Sequence, residues 1–392
     1  MNDHRLELAD IFRTHQKDFL DRWNRVLSRH QRKALRDIRD CRTAALGGHL
    51  QECDRCGYRV ILYNSCRNRH CPKCQASARA RWLAQRQAEL LPAPYFHVVF
   101  TLPEQIGRLA MQNAKPIYNI LFRAASQTLL ETAADPRLLG ASIGFLAVLH
   151  TWGQNLHLHP HLHCVVPGGG ISPDGSCWIG CPKSSFFLPV RVLSHCFRKK
   201  FLRQLEQAFR KGALHFNGEL HPLAEPAAFR ALCEKASAID WVVHVKPPFG
   251  GPQRMLKYLA RYTHRVAISN HRLRSLENGR VSFDWKDYAD RSRTKIMTLD
   301  AIEFIRRFLL HVLPAGMVRI RQFGFLANRV RRHQLERCRI LLAVLRSPHS
   351  TDLDGGADLK LADTSVCPVC KQGRFVVIEF LIAEPVAIQD TS

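Results

Sequence analysis

Four histidines at alternate positions, His157, His159, His161 and His163, constrain this chain more than any other feature. In an extended strand residues two apart share a face, so the four imidazoles line one side. The alternation runs on through Cys164, Val165 and Val166 before Pro167 and three glycines stop the strand. A His-hydrophobe-His pair on a strand sets two imidazoles side by side, within reach of one cation. The coordination positions left over stay open to phosphate oxygens and water, the layout of a catalytic rather than a closed structural metal site. A single histidine would read as a surface residue near a turn; four at period two do not. His161 and His163 are therefore the expected metal ligands. The third ligand is left between His159 and Gln154, the nearest in sequence. His97, on a candidate neighbouring strand, is a further candidate, and His157 is the weakest.

The charge says what such a site would work on. Lys and Arg number 58 against 33 Asp and Glu, a net charge of +25 and a pI of about 10.0. Such an excess repels itself unless a polyanion offsets it, which makes nucleic acid the leading partner. An anionic membrane surface is the alternative, but no long uncharged apolar run could span a bilayer. Met1 to Arg13 is charged and carries no apolar signal segment, so the expected location is the cytoplasm, at the nucleoid. Hydrophobic residues make up 46% of the chain, enough for an ordinary packed core, and the length suits two or three domains.

Fourteen cysteines in a chain of 392 residues are not a small disulfide scaffold; in a reducing compartment they read first as metal ligands. From Cys41 to Cys74 turn residues, Cys, His and Arg dominate and few long apolar side chains are available, so the segment needs a metal to fold. Cys53-x-x-Cys56 and Cys71-x-x-Cys74 form two knuckles separated by fourteen residues. Each aims two thiolates at one ion, and together they are expected to close a tetrahedral zinc site. Cys66 and His70 lie beside the second knuckle and could replace one of these ligands or build a second site. Cys41 and His49 read better as a buried cysteine and a satisfied histidine. Arg67 and Arg69 sit on the metal-held loop, where they suit phosphate contact. The C-terminal Cys367-x-x-Cys370 is half a zinc site with no second knuckle to complete it; Cys338 is a weak third ligand, and no metal is expected there.

Around these motifs the chain reads as mixed helix and strand. Helix is expected over the first forty residues, with Ile11, Phe12 and Phe19 at helical spacing, over 76–91 and over 106–134 with an interruption at Pro116. Strands are expected at 95–102, 161–166 and 241–245. Residues 143–151 are buried strand or helix, which periodicity alone does not settle. Residues 172–235 look like an insertion. A hairpin is expected around Glu277-Asn278-Gly279, a helix over 299–312, and a tail that is loose after Ser347 until Cys367. The basic run Arg319, Arg321, Arg329, Arg331, Arg332 and His333 could track phosphates or be a solvated helix face.

Gln253 to Thr263 reads as a helix, with Tyr258 and Tyr262 one turn apart on the same side. A phenol has a pKa of about 10, so a nearby cation is needed to make its phenolate available as a nucleophile. Lys257, Arg261, His264 and Arg265 supply positive charge for a scissile phosphate. Two tyrosines on a helix are usually core aromatics; the pair gains weight beside the histidine strand.

Taken together, SCRNRHCPKCQ, FHVVFTLPE, LHTWGQNLHLHPHLHCVVPGGG, KYLARYTHRVAISN and EFIRRFLLHVLPAGMVRIRQFG resemble the two-tyrosine HUH transposases of rolling-circle insertion sequences, the IS91 type. The resemblance covers most of the chain. It implies an α+β fold, an HUH endonuclease domain with an antiparallel sheet of the RNA-recognition type flanked by helices, plus a small N-terminal zinc-binding domain. The expected organisation is a zinc-binding region over 1–92, a catalytic domain over 93–290 with the insertion at 172–235, and a helical C-terminal region with its tail over 291–392. The resemblance puts the metal-binding pair on His161 and His163, the nucleophiles on Tyr258 and Tyr262, and the zinc knuckles on Cys53, Cys56, Cys71 and Cys74. It implies cleavage of single-stranded or locally melted DNA through a 5′-phosphotyrosine, with structural Zn²⁺ and catalytic Mg²⁺ or Mn²⁺. The rivals are a zinc-dependent DNA-binding regulator without catalysis and a hydrolase that uses activated water.

Overall fold

A computed structural model of the chain describes residues 5–182, 187–248, 266–288, 290–344 and 366–384. Helix α1 (Leu8–Trp23) starts at Glu7, whose backbone N–H donates to Asp10, and buries Leu8, Ile11, Phe12 and Phe19 on one side. Helix α2 (Arg29–Arg39) is capped reciprocally by Ser28 and Gln31 and buries Leu35 and Ile38. The hairpin β1 (Gly48–Cys53) and β2 (Arg59–Tyr63) follows, then α3 (Pro72–Gln87), with Pro72 in its first turn.

The central sheet begins with β3 (Tyr95–Thr101). Helices α4 (Glu104–Leu109) and α5 (Ala114–Ala134) lead to β4 (Gly144–Trp152). Pro116 does not interrupt α5; it lies in the first turn, where its missing N–H has no intrahelical partner to lose. Residues 144–152 settle as a strand, every one of them buried, because both edges are paired and both faces covered. Next come β5 (Leu158–Pro167), the short β6 (Gly169–Ile171) and β7 (Trp178–Gly180), α6 (Val190–Arg210), α7 (Pro226–Ser237) and β8 (Val243–Lys246). The sheet runs β12-β4-β5-β3-β8 with antiparallel neighbours, where β12 is Ile320–Gly324.

One face of that sheet is apolar. Phe96, Val98 and Phe100 of β3, Phe145, Ala147 and Leu149 of β4, and Leu162, Cys164 and Val166 of β5 are buried against α5 and α6. Leu193, Phe197, Phe201 and Leu205, spaced four apart along α6, fill the same core. Residues 190–210, expected within an insertion, therefore supply a packing layer, because α6 presents a continuous apolar side to the sheet. Each fully buried Phe or Leu of this kind contributes roughly 1.5–3 kcal/mol.

A second core joins the first forty residues to residues 267–309. Strands β9 (Leu273–Glu277), β10 (Arg280–Asp287) and β11 (Arg293–Asp300) form a meander whose first turn, Asn278-Gly279, has φ +49° and +71°, the left-handed pair a two-residue hairpin requires. Asp300 accepts from the N–H groups of Ile302 and Glu303 and so starts α8 (Ala301–Leu310). Phe304, Ile305 and Phe308 of α8 pack with Phe12 and Phe19 of α1, Leu35 of α2 and Phe283 of β10; the Phe12 and Phe308 rings meet edge-on at 5.6 Å. A third, smaller cluster sets α9 (Arg331–Val344) over Tyr95, Val148 and Val165 through Leu335, Cys338 and Leu342. Cys338 lies in this core, away from any metal-ligating group.

Beyond Cys367, up to which a loose segment was expected, the chain forms a strand, β13 (Phe375–Leu381), antiparallel to β1, which makes a sheet of order β13-β1-β2. No helix among the described residues is long and apolar enough to cross a membrane.

Candidate metal centres and nucleic-acid interface

The face of the central sheet opposite its apolar core carries imidazoles in register. His161 stands opposite His150 on β4; His163 stands opposite Val148 on β4 and Val99 on β3. Directly paired residues point to the same side, so His150, His161 and His163 converge, with one ligand atom from each lying within 4.8 Å of the others. The ring centroids of His150 and His163 are 4.5 Å apart, and those of His161 and His163 4.8 Å. His150 and His163 are buried, and Trp152 stacks on His150 at 4.8 Å.

Two of these rings have one nitrogen already committed. His161 Nδ1–H donates to the His159 carbonyl at 2.6 Å, which leaves Nε2 to face an ion. His163 Nδ1 lies 2.8 Å from Nε2 of His97, and the two rings stack. Burial, with help from the charges of Lys246 and His244, pushes His97 down to about 3, so it stays neutral. A neutral His97 can accept at Nε2 from His163 Nδ1–H, the tautomer that keeps the Nε2 lone pair of His163 for a metal. The donor set fits a divalent ion: three imidazoles, that of His161 with its tautomer fixed by a carbonyl, and positions left for oxygen ligands.

The geometry brings His150 into the group as a candidate third donor in place of the sequence-based choices His159 and Gln154. His159 lies one alternation further along β5, exposed, where its carbonyl rather than its ring serves His161. Gln154 sits in the β4–β5 turn and donates to the Tyr288 hydroxyl at 3.3 Å. His97 supports a ligand instead of being one, and His157 is exposed beside Asn155. The signal for His150 was in the sequence: a strand at 144–152 folding back through a turn at Gly153–Asn155 sets it across from His161. It was missed because strand and helix were left undecided there.

The cysteines sort differently from their spacing. Cys41, just past α2, and Cys66 join Cys71 and Cys74 at the start of α3, with their sulfurs within 4.8 Å of one another. Sγ–Sγ separations of 3.6 Å link Cys41 to Cys71 and Cys74, and Cys66 to Cys74. Four thiolates about 2.3 Å from a zinc ion stand about 3.8 Å apart along the edges of the tetrahedron, so the group has the dimensions of a closed site. Hydrogen bonds from Cys66 and Cys71 hold the Cys41 thiol far below its usual range. Cys71 caps the N-terminus of α3, whose dipole favours thiolates. Cys41, expected as an ordinary buried cysteine, is a member. Cys53 and Cys56 are not; they meet Cys367 and Cys370, which the sequence had left without a partner knuckle.

His70 is not a ligand. Burial pushes it down to about 3, and its Nε2 accepts from the Leu313 N–H at 3.4 Å. Arg69 is likewise withdrawn from phosphate contact, because its guanidinium donates to the carbonyls of Met317 (2.7 Å), Pro314 (3.1 Å) and Leu313 (3.2 Å). Arg67, exposed and at φ +53°, projects from the same loop. Arg319 is buried, and burial lowers its guanidinium to about 10, so it does not belong to a phosphate-tracking run.

Positive charge borders the imidazole face along β8. His244 and Lys246 of β8 are exposed and in register with Val99 and His97. At the β12 edge, Leu146, Ile320 and Gln322 help to line an open cleft of about 760 Å³, where Arg331 pairs with Glu89 and Arg321 turns to the apolar side over the Phe122 ring. Tyr258, Tyr262, Lys257, Arg261 and Arg265 lie outside the described residues.

Residues 11–102 match the family described as "Transposase zinc-binding domain", and residues 144–334 the family described as "Putative transposase". Over 394 residues the chain is 54% identical to "Putative transposase y4qJ" of Sinorhizobium fredii, with 98% of each chain covered. Over 301 residues it is 29% identical to "Transposase for insertion sequence element IS801" of Pseudomonas savastanoi pv. phaseolicola, covering 74% of this chain and 68% of that one. Among solved structures it is similar to the conjugative relaxase TrwC in complex with OriT DNA, at 15% identity and a TM-score of 0.25, over 43% of this chain and 71% of the relaxase chain.

Proposed function

The chain belongs to the IS91-type transposases, and from that premise we propose that it cuts and rejoins single-stranded or locally melted DNA through a 5′-phosphotyrosine, with Tyr258 or Tyr262 as nucleophile. The observation that carries this reading is the convergence of His150, His161 and His163 on the sheet face opposite the main core, bordered by His244 and Lys246 of β8. A divalent ion there, Mg²⁺ or Mn²⁺, would supply Lewis-acid polarisation of a phosphate oxygen and favour a phenolate over a phenol. The chain's own residues do the rest. His97 fixes the tautomer of His163 and the His159 carbonyl that of His161, so the donor set needs no reorganisation. Lys246 and His244 hold the backbone of a single strand at the edge of the face.

In the step itself, the tyrosine oxygen forms a bond to phosphorus while the bond from phosphorus to the 3′ oxygen breaks. The phenolic proton is lost and the departing 3′ oxygen gains one. One phosphodiester replaces another, so attack by a 3′-OH on the phosphotyrosine runs the exchange backwards without a nucleotide cofactor. The second tyrosine allows a second strand end to be handled in the same cycle. Zn²⁺ on Cys41, Cys66, Cys71 and Cys74 is structural, and the loop it holds presents Arg67 to the element's terminal DNA. The protein acts in the cytoplasm, at the nucleoid.

A labelled single-stranded element terminus incubated with Mg²⁺ or Mn²⁺ tests the reading. Wild type is expected to yield a covalent adduct whose peptide maps to Tyr258 or Tyr262, and the Tyr258→Phe/Tyr262→Phe variant none. Multiple turnover with free 5′-phosphate ends in that variant would mean a hydrolase. Salt-dependent binding without any adduct in wild type would mean a regulator.

A further inference from the structure

Among the described residues, the imidazole centre and the Cys41 cluster leave one further metal-competent group of side chains unused. Cys53 and Cys56, at the end of β1, meet Cys367 and Cys370, in the turn ahead of β13. We propose that these four thiols form a second closed site for a thiophilic divalent ion, zinc in the first place, and that this ion fastens the end of the chain onto its N-terminal sheet. The site is independent of the nicking chemistry.

The geometry is that of a tetrahedral thiolate site. Cys53 and Cys370 sulfurs are 3.7 Å apart, as are those of Cys56 and Cys367, and all four lie within 4.8 Å of one another. The tetrahedral edge for zinc is about 3.8 Å, whereas a disulfide needs about 2.05 Å. The two knuckles repeat one turn. Gly57 N–H donates to the Cys53 carbonyl at 3.1 Å, and Lys371 N–H to the Cys367 carbonyl at 2.9 Å. In each the residue after the second cysteine is left-handed, φ +71° at Gly57 and +56° at Lys371. The Gly373 N–H donates to Cys370 Sγ at 3.2 Å, the backbone-to-sulfur contact that supports a metal-bound thiolate. Gly373 also needs to be glycine, because a Cβ there would collide with Cys53 Sγ.

The surroundings register the two halves but do little to hold them. Asp54 N–H donates to the Arg374 carbonyl (3.0 Å) and Arg374 N–H to Asp54 Oδ1 (2.8 Å), while Cys53 pairs with Phe375 in the β1–β13 ladder. Yet β13 brings almost no core with it: Val376, Val377, Ile378 and Phe380 are exposed, Phe380 at 81%. A strand without buried apolar side chains gains little from packing, and a metal supplies the cross-link that the core lacks.

Full-length protein purified without chelator tests this by elemental analysis and by mapping which cysteines alkylate. In wild type, Cys53, Cys56, Cys367 and Cys370 are expected to resist alkylation while the exposed Cys177 reacts, and a chelator should remove that resistance. Cys367→Ser/Cys370→Ser is expected to carry one zinc fewer per chain than wild type, with Cys53 and Cys56 newly reactive and Cys41, Cys66, Cys71 and Cys74 still resistant. Unchanged zinc content in the variant overturns the proposal. So does wild-type Cys367 and Cys370 reacting as fast as Cys177, or either being found in a disulfide. The wild-type map needs no variant, so a folding failure of the variant leaves the answer intact.

Discussion

The imidazole centre and the Cys41 cluster are both sets of metal-competent side chains, but they are assembled in opposite ways. The three histidines come from two adjacent strands whose ladder already fixes their spacing. The four thiols come from just past α2, a loop and the first turn of α3, pieces that the second core and the Asn68–Asp37 hydrogen bond also hold together. The first arrangement persists whether or not it is filled and leaves coordination positions for a substrate. The second is closed, with all four donors supplied by the chain itself. A site preformed by a sheet can afford incomplete coordination; a closed structural site cannot.

The largest expected effect tests the open half of this contrast. His161→Ala/His163→Ala should lower adduct yield roughly 10³-fold or more, while zinc content and salt-dependent DNA binding stay near wild type. A collapse of DNA binding would show that the histidines are structural. Next comes Cys71→Ser, which should release zinc and cost about 4 kcal/mol or more in urea unfolding; an unchanged midpoint would end the claim that the cluster holds a structural metal. A smaller effect separates holding from touching: His97→Ala should raise the Mn²⁺ concentration needed for half-maximal adduct by about 10- to 100-fold without changing the protein's zinc content. The smallest contrasts two neighbours on the thiol-held loop. Arg67→Ala should lower the slope of log affinity against log salt by about 1 with stability unchanged. Arg69→Ala should leave that slope alone and cost about 1.5–3 kcal/mol of stability, since it uncovers carbonyls now bonded to a cation. Exchanged outcomes would reverse the two assignments.

What the sequence made legible follows the range of the interactions involved. Period two is a local property of a strand, so His161 and His163 could be read directly, as could the turn at Asn278-Gly279 and the helix after Asp300. His150 needed the register between two strands, which turns on whether residues 144–152 are a strand at all; their continuous burial erased the alternation that would have said so. The knuckles were local and visible, but their partners were not. Cys71-x-x-Cys74 and Cys53-x-x-Cys56 look like one site by separation, yet the β1–β2 hairpin parts them, and Cys41 and Cys367-x-x-Cys370 reach them only through the fold. Arg69 shows the same limit for charge. Composition counted it among the groups for a polyanion, whereas its guanidinium is spent on the carbonyls of residues 313–317.

The shared core of α1, α2, β10 and α8 has a consequence during synthesis. Phe12 and Phe19 emerge from the ribosome early, but Phe283, Phe304 and Phe308, against which they pack, are made last in that set. At about 5–20 residues per second the delay is on the order of tens of seconds. Through that interval the nascent chain carries an amphipathic helix pair whose apolar side still lacks its partners on β10 and α8, a natural substrate for a chaperone waiting at the tunnel exit.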